Sequence, residues 1–329
     1  MAPFTSNDFQ RHGLDSARVS VQAERASLLS AGWAALPPGY RIPQSAPSLD
    51  DAKAYCERLA RSHYENFSIA TWFLPKRLRP HFYSVYAYCR ISDDLGDEVG
   101  NPQQSLALLD EWETELDACY AGSPRHPVFV ALRETVIACE VPKQPFADLL
   151  KAFRQDQTLF RYDTFDDLLG YCRYSANPVG QLVLYLCGYR DEERQRLSDF
   201  TCTALQLANF WQDVGVDFAK GRIYLPLEDL RRFGVHEEQI AQRRFDERFR
   251  ELMRFQVNRA REWFAKGLPL VERVDRELAV DLDLFSRGGL EILNAIERQD
   301  FDVLKCRPAI SKFRKLLLVA RAALGRATA

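Results

Sequence analysis

The clearest pattern of hydrophobic and polar positions lies over residues 205–226. Its polar side chains recur at helical spacing and therefore share one helix face; they are Gln206, Asn209, Asp213 and Asp217. The positions around this stripe are mostly aliphatic or aromatic, so the pattern predicts a buried helix with a polar line. Carboxylates one turn apart repel each other, and burying them without a counter-charge is unfavourable. The stripe therefore predicts a site for a hard divalent cation such as Mg²⁺, which binds carboxylate and amide oxygens.

A second helical pattern, over residues 83–98, also carries a carboxylate pair. Asp93 and Asp97 are four residues apart, and Tyr86 and Arg90 precede them at one-turn intervals. One isolated pair of this kind is more often a solvated face, because the chain has 46 acidic residues. Two pairs within aromatic and aliphatic sequence instead predict two facing helices that hold Mg²⁺ between them and bind a diphosphate.

The rest of the chain also follows helical periodicity, and no useful stretch alternates with the period of two that is typical of strands. Short turn signals, such as Gly100-Asn-Pro and Gly267-Leu-Pro, separate the predicted helices. The pattern predicts an all-α, single-domain helical bundle with its site in a central cavity. A break rich in Pro and Gly after Leu36 separates a predicted N-terminal accessory arm, residues 1–47, from the main domain, residues 48–329.

Composition narrows the functional classes. The net charge of −2 and the pI of about 6.3 give no reason to expect nucleic acid as a partner. The eight cysteines contain no Cys-x-x-Cys and the five histidines no His-Glu-x-x-His, so we expect reduced thiols and no zinc site. The N-terminus lacks the basic and apolar segments of a secretion signal, and no apolar run is long enough to span a membrane. We therefore expect a cytoplasmic protein.

Two shorter stretches carry further candidate chemistry. Lys220 and Arg222 follow the first polar stripe, where they can complement the helix dipole, bind a diphosphate, or do both. Farther upstream, Pro178 interrupts an apparent helix and frees a backbone carbonyl. This break is either a plain helix boundary or a place where small residues, Ser175 among them, let a long ligand lie against the backbone.

Three motifs in this order resemble the squalene/phytoene synthase family, the head-to-head branch of the trans-isoprenoid synthases. They begin at Tyr88-Cys-Arg-Ile-Ser-Asp-Asp, Gly170-Tyr-Cys-Arg-Tyr-Ser-Ala-Asn-Pro and Gln206-Leu-Ala-Asn-Phe-Trp-Gln-Asp, and Gly221-Arg-Ile-Tyr-Leu-Pro follows the third. The resemblance runs from about residue 54 to the C-terminal region. It implies an all-α isoprenoid synthase fold, with a central cavity and two Asp motifs that bind diphosphate through Mg²⁺.

The same resemblance implies roles for individual residues. The implied metal ligands are Asp93, Asp97, Asn209, Asp213 and Asp217. The residues implied to border the diphosphate or the allylic cation are His63, Tyr86, Arg90, Gln206, Lys220 and Arg222. Tyr171 would face the cation, and catalysis would depend on it and on the four aspartates.

Two departures from the usual family pattern point to one branch. Gln212 stands where the second Asp motif usually has Arg, and Ala176-Asn177 stands where the middle motif usually has Ala-Gly. In both features the chain resembles the bacterial hydroxysqualene synthases. That resemblance implies conversion of presqualene diphosphate and water to hydroxysqualene, without NADPH, beside other enzymes of the squalene pathway.

Two other functions remain open on the sequence. One is condensation of two prenyl diphosphates to presqualene diphosphate, squalene or phytoene. The other is a non-catalytic subunit that binds a prenyl lipid, although such a protein has no need of four costly buried carboxylates. The C-terminal stretch from Lys312 to Arg326 is basic and amphipathic. It either packs on the bundle or makes a peripheral contact with the inner membrane surface.

Overall fold

The computed structural model describes residues 22–62 and 76–311, together with Arg314, and all regular secondary structure in these residues is helical. Helix α1 is described over residues 22–35. The helices that follow are α2 (Leu49–Ser62), α3 (Arg79–Asp97), α4 (Pro102–Ala121), α5 (Pro127–Cys139), α6 (Gln144–Gln155), α7 (Phe165–Ser175), α8 (Asn177–Leu186), α9 (Glu192–Ala219), α10 (Leu227–Phe233), α11 (Glu237–Ala241), α12 (Glu247–Gly267) and α13 (Arg276–Arg298). Short 3₁₀ turns occupy Pro38–Tyr40 and Leu268–Arg273.

Side-chain caps set the ends of the helices that carry the site. The Asp191 carboxylate accepts a hydrogen bond from the backbone N–H of Arg194 at the start of α9. Thr164 and Asp167 form a reciprocal capping box at the start of α7. After α9 the chain turns at Gly221, whose φ of 81° lies in the left-handed region that glycine tolerates best. These local signals set where the polar stripe of α9 ends.

Two hydrophobic clusters hold the bundle together. In the first, Tyr88 of α3 packs with Trp112 and Phe129 of α4 and α5. In the second, Trp211 of α9 lies among apolar residues of α12 and α13, including Phe249. Helix α3 thus belongs to one cluster and α9 to the other, so their polar faces can border a common space between the two clusters. The prediction of an all-α, single-domain bundle is confirmed.

The part of the N-terminal segment that the structure describes packs on this bundle. Trp33, Leu36 and Tyr40 are buried in the first cluster. The Trp33 indole N–H donates to the Glu111 carboxylate over 2.8 Å. The division of the chain at residue 47 stays a prediction, because these contacts do not test whether residues 1–47 act as a separate arm.

Two of the sequence-based expectations concern residues that the structure does not describe. His63 lies outside the described residues, as does the stretch from Lys312 to Arg326 apart from Arg314. Among the helices that are described, none combines the length and apolar composition required to cross a membrane.

Candidate active site

A cavity of about 470 Å³ opens between the two clusters. Helices α3, α6, α7, α8 and α9 line it, together with the segment that follows α9. Every predicted site residue that the structure describes lines this cavity; these are Tyr86, Arg90, Asp93, Asp97, Tyr171, Gln206, Asn209, Asp213, Asp217, Lys220 and Arg222. The fold therefore brings together side chains from two stretches more than 100 residues apart in the sequence.

The first carboxylate pair lies near the C-terminal end of α3. The Asp93 side chain is 51% exposed, and Asp97 lies one turn further along the helix. This partial loss of solvation, with the added negative charge of Asp97, raises the pKa of Asp93 to about 6. A raised carboxyl pKa is the electrostatic sign of a site that favours a cation.

Asp94, between these two acids, is the ion-pair partner of Arg90. It is buried, and its two oxygens bind the Arg90 guanidinium, with Nε 3.0 Å from Oδ2 and Nη2 2.5 Å from Oδ1. The Tyr40 hydroxyl donates to the same Oδ2 over 2.7 Å. Asp94 therefore fixes Arg90 in the cavity wall, and Tyr40 connects this arrangement to the N-terminal segment.

The second carboxylate pair lies on α9. Burial, followed by the negative charge of Asp213, raises the pKa of Asp217 to about 7. Asp213 forms a bidentate ion pair with Arg307, in which Nη2 donates to Oδ2 over 2.9 Å and Nε donates to Oδ1. The sequence reasoning did not select Arg307 as a site residue, because 94 positions separate it from Asp213.

Gln212 holds the segment that carries Arg307. Its side-chain amide donates to the Pro308 carbonyl over 2.6 Å, and its oxygen accepts from Arg307 Nη2 over 3.1 Å. Gln212 is buried, whereas the Arg307 side chain is 53% exposed. The cation beside the second Asp motif is therefore supplied by the C-terminal part of the chain.

An ion pair links the two Asp motifs across the cavity mouth. Arg222, just after α9, donates from Nη2 to Asp97 Oδ1 over 3.0 Å. The turn at Gly221 sets this position, because the Arg222 backbone N–H bonds the Asp217 carbonyl over 2.9 Å. Lys220 lines the same end of the cavity. Carboxylates and cations thus meet at one end, a combination suited to a diphosphate with bound metal.

Aromatic rings form another part of the wall. Phe210 and Tyr224 stack with ring centres 3.9 Å apart and planes 10° apart. Tyr171 lies against both rings, with centre distances of 6.2 Å to Phe210 and 5.8 Å to Tyr224. Ring faces carry partial negative charge, so this wall can stabilise a carbocation.

Asp156 is a cavity residue that the sequence analysis missed. It follows the last residue of α6, is 8% exposed, and accepts a hydrogen bond from the Tyr171 hydroxyl over 3.0 Å. Burial raises the pKa of Asp156 to about 7, although the bond from Tyr171 acts in the opposite direction. No spacing signal marked Asp156, because it stands alone between two glutamines.

The donor set fits Mg²⁺. Within residues 22–62 and 76–311, no three His, Cys, Asp or Glu side chains converge closely enough to form a metal site by themselves. Mg²⁺ commonly takes only one or two protein carboxylates and completes its shell with water and substrate phosphates. The Asp pairs of α3 and α9, with the Asn209 amide, offer that kind of incomplete oxygen shell.

Comparison with known proteins places these features in a class and then in a family. An all-α bundle with two Asp motifs and an aromatic wall on one cavity defines the isoprenoid synthase type. The family model described as squalene/phytoene synthase matches residues 60–314. The chain belongs to the squalene/phytoene synthase family, whose members are enzymes acting on prenyl diphosphates.

Phytoene synthases are among the curated relatives that are similar to the chain. The chain is 33% identical to a 15-cis-phytoene synthase of Synechococcus elongatus over 292 residues, which cover 84% of this chain and 94% of the relative. It is 32% identical to a phytoene synthase of Arthrospira platensis over 291 residues, with coverages of 83% and 93%.

Two solved structures share the fold. The structure of squalene synthase HpnC from Alicyclobacillus acidocaldarius is similar with a TM-score of 0.75 and 46% identity, and the match covers 82% of this chain and 98% of that one. A dehydrosqualene synthase solved in complex with a ligand gives a TM-score of 0.77 and 28% identity, with coverages of 85% and 98%.

Proposed function

We propose that the protein converts presqualene diphosphate and water to hydroxysqualene and diphosphate in a reaction that depends on Mg²⁺ and not on NADPH. The observation that carries this proposal is the meeting of the Asp pairs of α3 and α9 at one end of a cavity with aromatic rings in its wall. The charged end suits the diphosphate and the aromatic wall suits the cation left behind. These two parts of the wall match the two halves of an ionising prenyl diphosphate.

At the charged end, the residues bind and orient the leaving group. Arg90 is fixed by Asp94, and Arg222 by Asp97, so two guanidinium groups are aligned before substrate arrives. When bound to the Asp pairs, Mg²⁺ would neutralise charge on the diphosphate oxygens as the carbon–oxygen bond breaks. Preorganised cations of this kind favour the transition state because their orientation is established beforehand.

At the aromatic part of the wall, the chain's own groups accommodate the cation. Tyr171, Phe210 and Tyr224 present ring surfaces to the cavity, and Leu149 and Phe153 of α6 add apolar contacts. Burial holds the pKa of the Tyr171 hydroxyl well above its usual value, which keeps that group neutral. A neutral aromatic wall stabilises positive charge.

Two observations support the hydroxysqualene branch over the phytoene branch. Identity is 46% to the solved squalene synthase HpnC and 33% to the cyanobacterial phytoene synthase. Gln212 is also neutral, and its side chain is hydrogen-bonded to the Pro308 carbonyl and to Arg307. It therefore adds no second cation that could bind a second diphosphate. In this proposal, a separate enzyme of the squalene pathway supplies presqualene diphosphate, and peripheral membrane contact brings the protein close to its water-insoluble product.

The alternative is a head-to-head condensation of two prenyl diphosphates. The several curated relatives named phytoene synthase, at 30–33% identity, are the observation that favours it. In that case the same Asp pairs would serve two diphosphate groups in succession.

The test is product analysis of the purified protein with Mg²⁺. Presqualene diphosphate, farnesyl diphosphate and geranylgeranyl diphosphate are supplied separately, each with and without NADPH. We expect hydroxysqualene from presqualene diphosphate alone, at a rate that NADPH leaves unchanged. Condensation products from farnesyl or geranylgeranyl diphosphate would replace this proposal by the alternative.

Asp213→Ala is the companion variant. It should abolish diphosphate release while circular dichroism remains that of a folded helical protein. Unchanged turnover in this variant would remove α9 from the mechanism. Release of diphosphate from none of the three substrates by the wild-type protein would favour a non-catalytic prenyl-lipid binding subunit.

A further inference from the structure

The Ser175 hydroxyl stands out among the groups around the cavity. Ser175 is the last residue of α7 and lines the cavity, and its Oγ is buried without a hydrogen-bond partner among the described residues. A serine hydroxyl in a helix ordinarily bonds a carbonyl one turn back, and buried polar groups otherwise bind ordered water. The wall of the cavity therefore contains an unsatisfied polar group in a position to bind a small ligand.

A break in the helices follows Ser175 directly. Helix α8 begins at Asn177 and has Pro178 in its first turn. Proline has no backbone N–H, so the Tyr174 carbonyl loses its regular helical donor. The Ser175 hydroxyl thus lies next to a break in the helices, and a water molecule can donate to it.

The break is held rigidly against α9. Thr203 of α9 donates to the Asn177 side-chain oxygen over 2.9 Å, and both residues are buried. One turn further along α8, Gly180 lies directly against Ser198 and Cys202. These contacts fix the position of Ser175 in the cavity wall, which is what accurate placement of a reacting molecule requires.

The cavity that Ser175 lines also has apolar side chains in its wall. They include Leu149, Phe153, Val179 and Phe210, whereas most of the charged groups belong to the two Asp motifs and the segment that follows α9. Water against these apolar side chains would lack polar partners. The Ser175 hydroxyl therefore gives water a polar partner in the wall, whereas the apolar side chains suit the hydrocarbon chain of the substrate.

We infer that the Ser175 hydroxyl holds the water molecule that captures the allylic cation; this inference rests on the proposed function. Water donates one hydrogen to Ser175 Oγ, which directs an oxygen lone pair toward the cation. That lone pair forms the new carbon–oxygen bond, and the resulting oxonium loses a proton to the diphosphate released in the same turnover. The products are a neutral alcohol and protonated diphosphate, and no oxidant or reductant is consumed.

Ser175→Thr and Ser175→Val form a matched pair of variants. The two side chains have nearly the same shape, but only threonine retains the hydroxyl. With presqualene diphosphate as substrate, we expect the valine variant to make about tenfold less hydroxysqualene per diphosphate released, in line with the loss of one hydrogen bond to a buried polar group. The cation should then lose a proton and give hydrocarbon products, while the threonine variant should retain the alcohol.

The readout is the ratio of alcohol to hydrocarbon, measured in H₂¹⁸O so that water is identified as the oxygen source. Thermal unfolding confirms that both variants are folded. Equal alcohol fractions from the two variants overturn the inference and leave the proposed function standing. If the wild-type protein makes no alcohol from presqualene diphosphate, this result contradicts the proposed function, and the inference that rests on it is overturned as well.

A crystal structure tests the placement without turnover. We expect an ordered water within hydrogen-bond distance of Ser175 Oγ in the wild-type protein and none at that point in Ser175→Ala. A wild-type cavity without this water would overturn the inference even if the product ratios had changed.

Discussion

The Tyr171 hydroxyl donates a hydrogen bond to Asp156 Oδ2 over 3.0 Å, with both side chains buried in the cavity wall. This contact joins the end of α6 to α7. It also places a carboxyl group of raised pKa behind the aromatic ring that faces the cavity. This hydrogen bond therefore orients Tyr171. The position of its ring depends on Asp156, which lies outside the recognised motifs.

Asp156→Asn should change the pH dependence of stability in the absence of metal. The pKa of Asp156 is about 7 in the folded protein and near 3.9 in an unfolded chain, so the folded state binds this proton more tightly. Asp156 therefore lowers the free energy of unfolding as pH rises from about 4 to 7. We expect Asp156→Asn to be more stable than the wild type at pH 8 by up to about 4 kcal/mol, and similar at pH 4.

Urea unfolding with EDTA at the two pH values measures this difference. Asp163→Asn, on the loop that follows α6, is the matched control. A stability difference that is the same at pH 4 and pH 8 would mean that Asp156 does not titrate in this range.

Asp217→Asn should affect stability and activity in opposite directions. In the protein without metal, the substitution removes a partly buried charge that Asp213 repels, so the melting temperature at pH 8 should rise. Turnover should fall by about 10²–10³-fold, because an electrostatic group at the leaving oxygens is lost. Thermal melting in EDTA and the steady-state release of diphosphate measure the two effects.

Asp283→Asn is the control for this variant, because Asp283 forms an exposed ion pair with Arg287 on α13. It should leave both quantities nearly unchanged. A lower melting temperature in Asp217→Asn would show that the carboxylate is stabilised by its neighbours, contrary to the electrostatics described above.

Arg307→Gln should strengthen the binding of Mg²⁺ in the absence of diphosphate. The guanidinium of Arg307 occupies both oxygens of Asp213, so it competes with a metal for the same carboxylate. An exposed ion pair contributes up to about 1 kcal/mol, so the gain in affinity should be at most about fivefold. Isothermal titration calorimetry with Mg²⁺ measures it, and Arg298→Gln, which removes an ion pair with Glu291, is the control. Weaker Mg²⁺ binding would instead mean that Arg307 holds Asp213 in its binding conformation.

Two neighbouring glycines of α13 give a test of packing. A Cβ at position 289 would lie 2.8 Å from Leu205 Cδ2 on α9 and would meet the Phe264 ring, whereas a Cβ at position 288 has no atom within 4 Å. We expect Gly289→Ala to lower the free energy of unfolding by about 1–3 kcal/mol through overpacking. Gly288→Ala should raise it by up to about 1 kcal/mol, because alanine favours the helix. Urea unfolding measures the free energy of unfolding of the two variants. Equal changes in this free energy would contradict the close approach of α13 to α9.

Much of the candidate site can be predicted from residues that are close together in the sequence. Asp93 and Asp97, like Asp213 and Asp217, are spaced at one helical turn, and that spacing places each pair on one face wherever the helix lies. Apolar neighbours in each stretch indicate that these faces are partly buried. The helical class of the fold follows from the same periodicity, since it depends only on residues a few positions apart.

Other parts of the site depend on distant contacts. Asp156 has no neighbour in sequence that marks it as functional, and it becomes a cavity residue only because α7 brings Tyr171 against it. Arg307 reaches Asp213 across 94 residues, and Arg222 reaches Asp97 across 125. No local pattern encodes such pairs, because they depend on how the two hydrophobic clusters pack.

The sequence by itself therefore determined the helices, the two carboxylate pairs and the family resemblance. Only the tertiary structure decided that both pairs share one cavity, that a buried Asp orients Tyr171, and that the Ser175 hydroxyl is left without a partner. The physical reason is the range of the interactions. Helical periodicity and capping act over a few residues, whereas cavity walls, ion pairs between helices and unsatisfied polar groups arise when separate helices pack together.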